Sequence, residues 1–267
     1  MAWTAAQRTP EAAGGAARGA LDLWRDPLLV VSPHPDDAAL SCAALLDRGR
    51  PVDIATVFTG APTPPVTTEW DRAAGFADSD EAMAARIAEE RAAFADSRHR
   101  LHELGELDGQ YVSTGRDRGV ANVLRSFVSS WRREAGDRAR VVIPVGTGRR
   151  DLLPQRLAHR LGQGPAPHPD HVYVRDMVLA AVHPRDAILY EEFPYMRGRR
   201  GDRSAARAVR RFGCRTRAFE LEVDRESKLR RLDAYASQLA TLTITPASLP
   251  ATERYYRLTP KKGAARR

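Results

Sequence analysis

The sequence predicts an α/β fold built on a mostly parallel sheet. Short apolar runs that suit buried strands alternate with longer segments of helical spacing along most of the 267 residues. The first unit joins a strand over 28–32 to a strand over 52–59 through a helix over 38–48, an order typical of parallel strands. An apolar content of 43% supplies enough side chains for one large core. We therefore expect a single domain with a three-layer, Rossmann-like arrangement.

The individual elements follow from local composition. The first predicted helix ends before Gly49, a residue type that suits the position just beyond a helix C-terminus. The segment 59–80 contains three prolines and is expected to be a surface loop, whereas 81–98 is rich in Ala, Glu and Arg and is expected to be a helix. Further strands are expected at 101–107, 141–145, 187–191 and 218–223, and further helices at 120–134, 172–182 and 225–239.

The composition limits the partners and the compartment. The formal net charge of +8 allows nucleic acid, membrane surfaces or anionic ligands. The arginine clusters lack interleaved aromatic residues and any nucleic-acid-binding motif, so no nucleic-acid partner is predicted. No stretch approaches the roughly 18 apolar residues of a membrane helix, and Cys42 and Cys214 belong to no CxxC pair and predict free thiols. We expect a soluble, cytoplasmic protein without a membrane partner; nothing in the sequence predicts its oligomeric state.

The ends of the chain are expected to lie outside the folded domain. Residues 1–20 are rich in Ala and Gly and lack the apolar core of a signal peptide, which predicts a flexible leader. Residues 261–267 contain only basic and small residues and predict a basic tail. The folded domain is therefore expected to span residues 21–260.

Two related tetrapeptides carry most of the chemical information. His34-Pro35-Asp36-Asp37 follows the first predicted strand, and His168-Pro169-Asp170-His171 opens the helix predicted at 172–182. The carboxyl ends of parallel strands meet at one edge of an open sheet, where ligands bind in a crevice. The two tetrapeptides are therefore expected to converge and to place histidines and aspartates in one pocket.

This set of side chains predicts a hydrolytic metal site. A catalytic zinc ion takes three protein ligands and leaves a position for water, and His34, Asp37 and His171 can supply the three ligands. Asp36 and His168 then remain available for proton transfer or for stabilising charge. A carboxylate can remove a proton from metal-activated water, and an imidazolium can stabilise an oxyanion or protonate a departing amine.

Each tetrapeptide alone also has a purely structural interpretation. An aspartate between a strand and a helix is a good N-cap, and a His-Pro pair is common in turns. The occurrence of both tetrapeptides at equivalent strand-to-helix junctions favours the metal site. If the metal site is present, Asp170 can orient His168 or His171 through a hydrogen bond to the imidazole ring. The predicted ligands accept Fe²⁺ as well as Zn²⁺.

With these residues in place, the sequence resembles the PIG-L (LmbE-like) family of zinc-dependent N-deacetylases, which act on N-acetylglucosaminyl conjugates. The resemblance runs from about residue 28 to about residue 239 and rests chiefly on the segments 32–41 and 168–171. Weaker matches are Trp70-Asp71, Arg86 with Glu89 and Glu90, Asp108-Gly109, and Lys228 with Tyr235, Ser237 and Gln238.

The resemblance implies a role for each residue of the predicted site. It implies that Zn²⁺ is bound by His34, Asp37 and His171, that Asp36 is the general base and that His168 stabilises the oxyanion. The implied substrate is a small molecule that contains an acetylated amino sugar, and the implied reaction is hydrolytic removal of the acetyl group.

The resemblance also implies substrate contacts by Arg86 and Asp108. From the residues alone, Arg86 can instead pair with Glu90 on a solvated helix face, and Asp108-Gly109 can be a plain turn.

Two features depart from the family pattern. Ala43-Ala44 stands where the family has glycines. The segment 146–167 is longer than the corresponding segment of the family and contains four arginines. This segment can be either a lid over the pocket or a solvated loop.

Two other functions compete with deacetylation. The same metal site can hydrolyse another amide or an N-glycosidic bond, or the chain can be a basic, non-catalytic binding protein that holds a structural metal. A dinucleotide cofactor is not expected, because no GxGxxG segment follows the first strand.

Overall fold

A mixed sheet forms the centre of the fold. The computed structural model describes residues 22–112, 118–147, 168–195 and 200–261, and within these ranges seven strands form one sheet. In chain order they are β1 (Leu28–Ser32), β2 (Asp53–Thr56), β3 (Arg100–Glu103), β4 (Arg140–Pro144), β5 (Ala187–Tyr190), β6 (Cys214–Glu222) and β7 (Thr252–Pro260). Their spatial order is β3-β2-β1-β4-β5-β7-β6. Strands β1 to β5 are parallel, whereas β7 runs antiparallel to β5 and β6, so the predicted mostly parallel α/β fold is confirmed.

Helices cover both faces of this sheet. They are α1 (Asp37–Ser41), α2 (Ala43–Leu46), α3 (Glu69–Ala74), α4 (Ser79–Phe94), α5 (Arg118–Ala135), α6 (Pro169–Ala181), α7 (Arg200–Val209), α8 (Arg225–Leu232) and α9 (Ala236–Thr241). One apolar core joins the sheet to α5, α6 and α7, and a second joins the opposite face to α1, α2, α4 and α8. None of the helices in the described ranges is long and apolar enough to cross a membrane.

Alternation along β1 shows how the two cores share the sheet. Leu29 and Val31 belong to the core on the α5 face, whereas Leu28 and Val30 belong to the core on the α1 face. Successive side chains of a strand point to opposite faces, and a parallel strand covered on both sides is therefore apolar throughout. This is why the continuous apolar run at 28–32 predicts the strand correctly.

The helix predicted over 38–48 is interrupted at Cys42. The backbone amides of Ala43 and Ala44 donate to the carboxylate of Glu253 on β7, at 3.0 and 2.9 Å. The buried ammonium of Lys228 donates to the carbonyl of Leu40 at the end of α1 and to Glu253, at 2.6 and 2.7 Å. The break is therefore held by a buried ion pair from distant parts of the chain, which local periodicity does not show.

Other differences from the predicted elements also come from distant partners. The predicted loop 59–80 contains α3, which begins with a capping box between Thr68 and Asp71. The helix predicted over 225–239 is divided into α8 and α9, and neither β7 nor α7 is predicted. The predicted leader 1–20, residues 148–167 of the long segment and residues 262–267 of the predicted tail lie outside the described residues.

Candidate active site

The predicted site residues lie at the carboxyl edge of the sheet, where the strand order reverses. The first strand of the chain, β1, lies between the second strand, β2, and the fourth strand, β4. Such a reversal opens a crevice at the strand ends. His34 follows β1, and His168 and His171 begin α6 after the long connection from β4. The two tetrapeptides meet here as predicted.

His34, Asp37 and His171 bring three ligand atoms together. His34 Nδ1 lies 3.2 Å from Asp37 Oδ2 and 3.3 Å from His171 Nε2, and His171 Nε2 lies 3.3 Å from Asp37 Oδ2. All three side chains are buried. The backbone amide of His34 also donates to Asp37 Oδ2 at 2.9 Å, which orients that carboxylate.

These three atoms suit a divalent metal ion. A tetrahedral ion with bonds of about 2.0 Å separates its ligand atoms by about 3.3 Å, which matches the three distances between the donors. Two imidazole nitrogens and one carboxylate oxygen are a donor set that zinc and other divalent transition metals accept. His34, His168 and Asp170 form another group of possible ligands in the described part of the chain. Of the two groups, His34, Asp37 and His171 is the one whose three side chains are all buried.

Glu192 holds His171 in the orientation that a metal ligand needs. Its Oε1 lies 3.3 Å from His171 Nδ1, so that nitrogen can carry the proton while Nε2 faces the other two ligand atoms. The fully buried carboxylate also accepts from the amides of Gly146 and Thr147, at 2.5 and 2.7 Å, and from the Thr147 hydroxyl at 2.7 Å. Gly146 has a φ of +99°, a conformation that favours glycine.

Sequence reasoning missed Glu192, although a signal was present. Glu192 comes two residues after β5, the same distance at which His34 follows β1. An acidic residue just beyond an apolar strand of a parallel sheet belongs to the same edge as the metal ligands.

The carboxylate of Asp170 contacts His34, and its backbone amide contacts His168. His34 Nε2 lies 3.2 Å from Asp170 Oδ2 and 3.5 Å from Asp108 Oδ2. Asp170 Oδ2 also accepts from the Gly109 amide at 3.2 Å. The Nε2 proton of His34 is thereby held by carboxylates, which leaves Nδ1 toward Asp37 and His171.

The carboxylates make this pocket favourable for positive charge. Burial lowers the pKa of His34, but the charge of Asp108 and hydrogen bonds with Asp170 and Asp37 outweigh it and raise the pKa to about 10. Burial likewise lowers the pKa of His171, and Asp37 and Glu192 raise it to about 9. A cluster that stabilises a proton this strongly also favours a bound cation.

Asp36 is buried beside the ligands without serving as a helix cap. It occupies the N-cap position of α1, yet its side chain makes no capping hydrogen bond. The Ser32 hydroxyl takes that role, because it accepts from the Ala38 amide at 3.1 Å and donates to the His34 carbonyl at 2.7 Å. Burial and the charge of Asp37 raise the pKa of Asp36 to about 6. Its carboxyl group lines the pocket.

His168 packs against the other two histidines of the site. Its ring centroid is 4.4 Å from that of His171 and 5.3 Å from that of His34. Its Nδ1 accepts from the Asp170 amide at 3.3 Å, so the ring proton is on Nε2. Burial and the charges of His171 and His34 lower its pKa to about 3. These charges favour a neutral ring at this position, with Nε2–H as its donor.

Arg86 and Asp108 lie together at the pocket. Arg86 is buried, its Nη1 is 3.5 Å from Asp108 Oδ2, and its guanidinium lies 4.8 Å above the ring of Trp70. The alternative of a solvated pair with Glu90 is therefore wrong. Asp108 does cap a short 3₁₀ turn through Oδ1, which accepts from the Gln110 amide at 3.1 Å, but its Oδ2 faces Arg86 and His34.

These residues line one pocket of about 390 Å³, a size typical of small-molecule sites. Four residues of the two tetrapeptides line it: His34, Asp36, Asp37 and His168. The rest of the wall combines hydrogen-bonding and apolar groups: Trp70, Arg86, Asp108, Gly109, Gln110, Pro169, Asp170, Tyr195, Gln238 and Leu242. Such a mixture suits a ligand with both polar groups and apolar surface.

Glu90 is a second buried carboxyl near Asp36 and should make stability depend on pH. It accepts from the Thr56 hydroxyl at 2.8 Å, and burial raises its pKa to about 8 from the ordinary 4.5. A pKa raised by folding stabilises the protein most below the unfolded value, and this stability is lost as the pH rises through the folded value. We expect the free energy of unfolding to fall by about 3 kcal/mol relative to Glu90→Gln between about pH 5.5 and pH 8.

Urea unfolding of the wild type and Glu90→Gln at both pH values measures this difference. The exposed Glu226→Gln serves as the control for the loss of a carboxyl group. Parallel pH dependence of the wild type and Glu90→Gln would show that the buried carboxyl does not titrate in this range.

Comparison with known proteins agrees with the fold and with the family resemblance. The family model described as PIG-L, GlcNAc-PI de-N-acetylase, matches residues 29–182, a range that contains all seven predicted site residues. A search of curated proteins finds no match. Solved structures show the same fold, and two are similar over nearly the whole chain. One is the zinc-inhibited form of teicoplanin deacetylase Orf2, with a TM-score of 0.64, 22% identity and coverage of 89% of this chain and 100% of that chain. The other is the A40926 pseudoaglycone deacetylase Dbv21, with a TM-score of 0.64, 24% identity and coverage of 91% and 100%.

Proposed function

The chain belongs to the PIG-L family, and from that premise we propose that it is a metal-dependent N-deacetylase of a small molecule that contains an acetylated amino sugar. The observation that carries this proposal is the triangle of His34, Asp37 and His171, flanked by Asp36 and His168 in one pocket. Three ligands with two further polar groups suit a catalytic site, since a structural zinc site uses four protein ligands.

We propose that His34, Asp37 and His171 hold the metal and that the metal is Zn²⁺. When bound, the ion lowers the pKa of water and stabilises negative charge on a carbonyl oxygen. The same donors accept Fe²⁺, and a related deacetylase is known in a zinc-inhibited form. Activity should therefore be assayed with several divalent metals at controlled stoichiometry.

Asp36 serves as the general base in this proposal. Its carboxyl group lines the pocket next to the ligand Asp37, and Ser32 performs the helix capping that would otherwise occupy it. It accepts a proton from the attacking water and then donates it to the departing amine. One group can do both because the proton it removes is the proton the leaving group needs.

His168 stabilises the negative oxygen that forms when the amide carbonyl is attacked. Its Nδ1 is occupied by the Asp170 amide, so Nε2–H is the donor that remains. A neutral, preorganised N–H donor can stabilise a developing oxyanion without delivering its proton. Arg86 and Asp108, which line the same pocket, are proposed to bind the polar groups of the sugar.

The chemical class of substrate is supported from two sides. The family description names a GlcNAc conjugate, and the related structures are named as deacetylases of teicoplanin and of the A40926 pseudoaglycone. The pocket has donors, acceptors and an aromatic ring on its wall, which suits a sugar with polar edges and apolar faces. We propose a soluble acetylated glycoconjugate as the partner, with no role for nucleic acid.

A screen of N-acetylated amino sugars tests this function. Metal-loaded protein should release acetate and a free amine from methyl N-acetylglucosaminide or a larger acetylated glycoside, and a chelator should stop the reaction. An N-glycoside is included in the same screen, and release of its amine with a sugar hemiacetal, in place of acetate, would indicate N-glycosidic cleavage. Absence of any product with every metal and glycoside would contradict the hydrolytic function.

A further inference from the structure

The wall of the pocket contains a buried amide whose orientation is fixed. Gln238 on α9 lines the pocket and is only 1% exposed. It lies beyond the family-matched residues 29–182, and no role has been given to it above. Trp70 and Leu242 line the same pocket as apolar groups, and α3 and α9, which carry Trp70 and Gln238, pack against each other.

A carboxylate on another helix determines which way this amide faces. Glu89 on α4 accepts from the Ser237 backbone amide through Oε1 at 2.8 Å and from the Ser237 hydroxyl through Oε2 at 2.7 Å. A carboxylate is an acceptor only, so the hydroxyl proton of Ser237 is committed to Glu89. The Ser237 oxygen can then act only as an acceptor for a further neighbour.

Gln238 Nε2 occupies that position, 2.9 Å from Ser237 Oγ. If the amide were rotated by half a turn, its carbonyl oxygen would face a hydroxyl oxygen that has no proton to give. The NH₂ group is therefore kept toward Ser237, and Oε1 is the polar atom of Gln238 that remains for the pocket. Hydrogen bonds from Glu89 through Ser237 thus set the polarity of one patch of the pocket wall.

We propose that Gln238 Oε1 accepts a hydrogen bond from a hydroxyl group of the amino sugar, and that Glu89 and Ser237 are positioning residues for it. This inference rests on the proposed function and adds a requirement to it: the substrate must carry a donor at this wall. A buried acceptor left without a donor is costly, so a site of this kind discriminates against analogues that lack the hydroxyl.

The test couples variants of the protein to deletions in the substrate. We would measure kcat/KM of the zinc-loaded wild type and Gln238→Met on methyl N-acetylglucosaminide and on its 3-, 4- and 6-deoxy analogues. The variant should be about fivefold to tenfold slower on the parent sugar, the effect of one neutral hydrogen bond. The wild type should hydrolyse one of the deoxy analogues more slowly than the parent sugar by a similar factor. Gln238→Met should hydrolyse that analogue and the parent sugar at the same rate. The hydroxyl missing from that analogue is then the one that Oε1 contacts.

Ser237→Ala and Ser237→Thr test the positioning separately. Ser237→Ala keeps the backbone amide that Glu89 binds but frees the glutamine amide, so KM should rise severalfold while kcat and zinc content stay the same. Ser237→Thr keeps the hydroxyl and should restore the wild-type KM. A purely structural role would instead lower Tm and zinc content and affect all four sugars equally.

Two results would overturn the inference while leaving the proposed function in place. One is an equal loss on the parent and on all deoxy analogues, and the other is no loss in Gln238→Met. Calorimetric binding of the product, methyl glucosaminide, should show the same pattern in Kd and gives a readout independent of turnover. A wild type that neither hydrolyses nor binds any of these sugars would reject the proposed function itself, and this inference with it.

Discussion

Asp36→Asn is expected to lower kcat by about 10³-fold while metal content and fold stay unchanged. Asparagine has nearly the shape of aspartate but cannot accept a proton at neutral pH. Asp36 is not one of the three atoms of the ligand triangle, and its side chain does not cap α1. Its replacement should therefore remove proton transfer and little else.

Three measurements on one preparation check this expectation. Metal content by elemental analysis and Tm should match the wild type, and acetate release should be nearly lost. Asp37→Asn is the matched control, since it changes the neighbouring carboxylate in the same way but belongs to the ligand triangle and should lower the metal content as well. Wild-type turnover in Asp36→Asn would remove Asp36 from the mechanism and leave the base to be found elsewhere.

The parallel part of the fold and the convergence of the proposed metal ligands could be predicted from the sequence for a physical reason. A strand buried on both faces is apolar throughout, as Leu28–Ser32 is, so polar residues that follow it stand out. In a parallel sheet all such residues reach the same edge. His34 and His171 could therefore be expected in one pocket, although 136 residues separate them.

The side chains that orient the proposed ligands could not be predicted from the sequence in the same way. Glu192 and Asp170 act on single atoms of His171 and His34, and which imidazole each carboxylate reaches depends on packing at the sheet edge. Strand β7 was missed because charged and aromatic residues are mixed along it, with Glu253 turned inward to meet Lys228. The expected compartment and the absence of nucleic-acid binding stay predictions from composition.

Substitutions of a proposed metal ligand and of the residue that orients it should reduce metal binding to different degrees. His171→Ala removes one of three ligand atoms and leaves Asp37 and His34 without their shared partner. We expect metal to be lost from the purified protein and turnover to fall by about 10⁴-fold, because water without a metal keeps a pKa of about 15.7. Glu192→Gln keeps every proposed ligand and changes the buried carboxylate that faces His171 Nδ1 and accepts from Gly146 and Thr147. It should weaken metal affinity by about 10- to 100-fold and regain turnover when metal is added.

A metal titration followed by acetate release separates these two variants. Glu192→Gln should reach near wild-type turnover at a higher metal concentration, whereas His171→Ala should stay inactive at any concentration that the wild type tolerates. His183→Ala is the control for histidine loss, since His183 caps a 3₁₀ turn away from the pocket and should leave the titration unchanged. Full metal content and activity in His171→Ala would mean that the ion is bound elsewhere, and the assignment of this triangle as the metal site would fail.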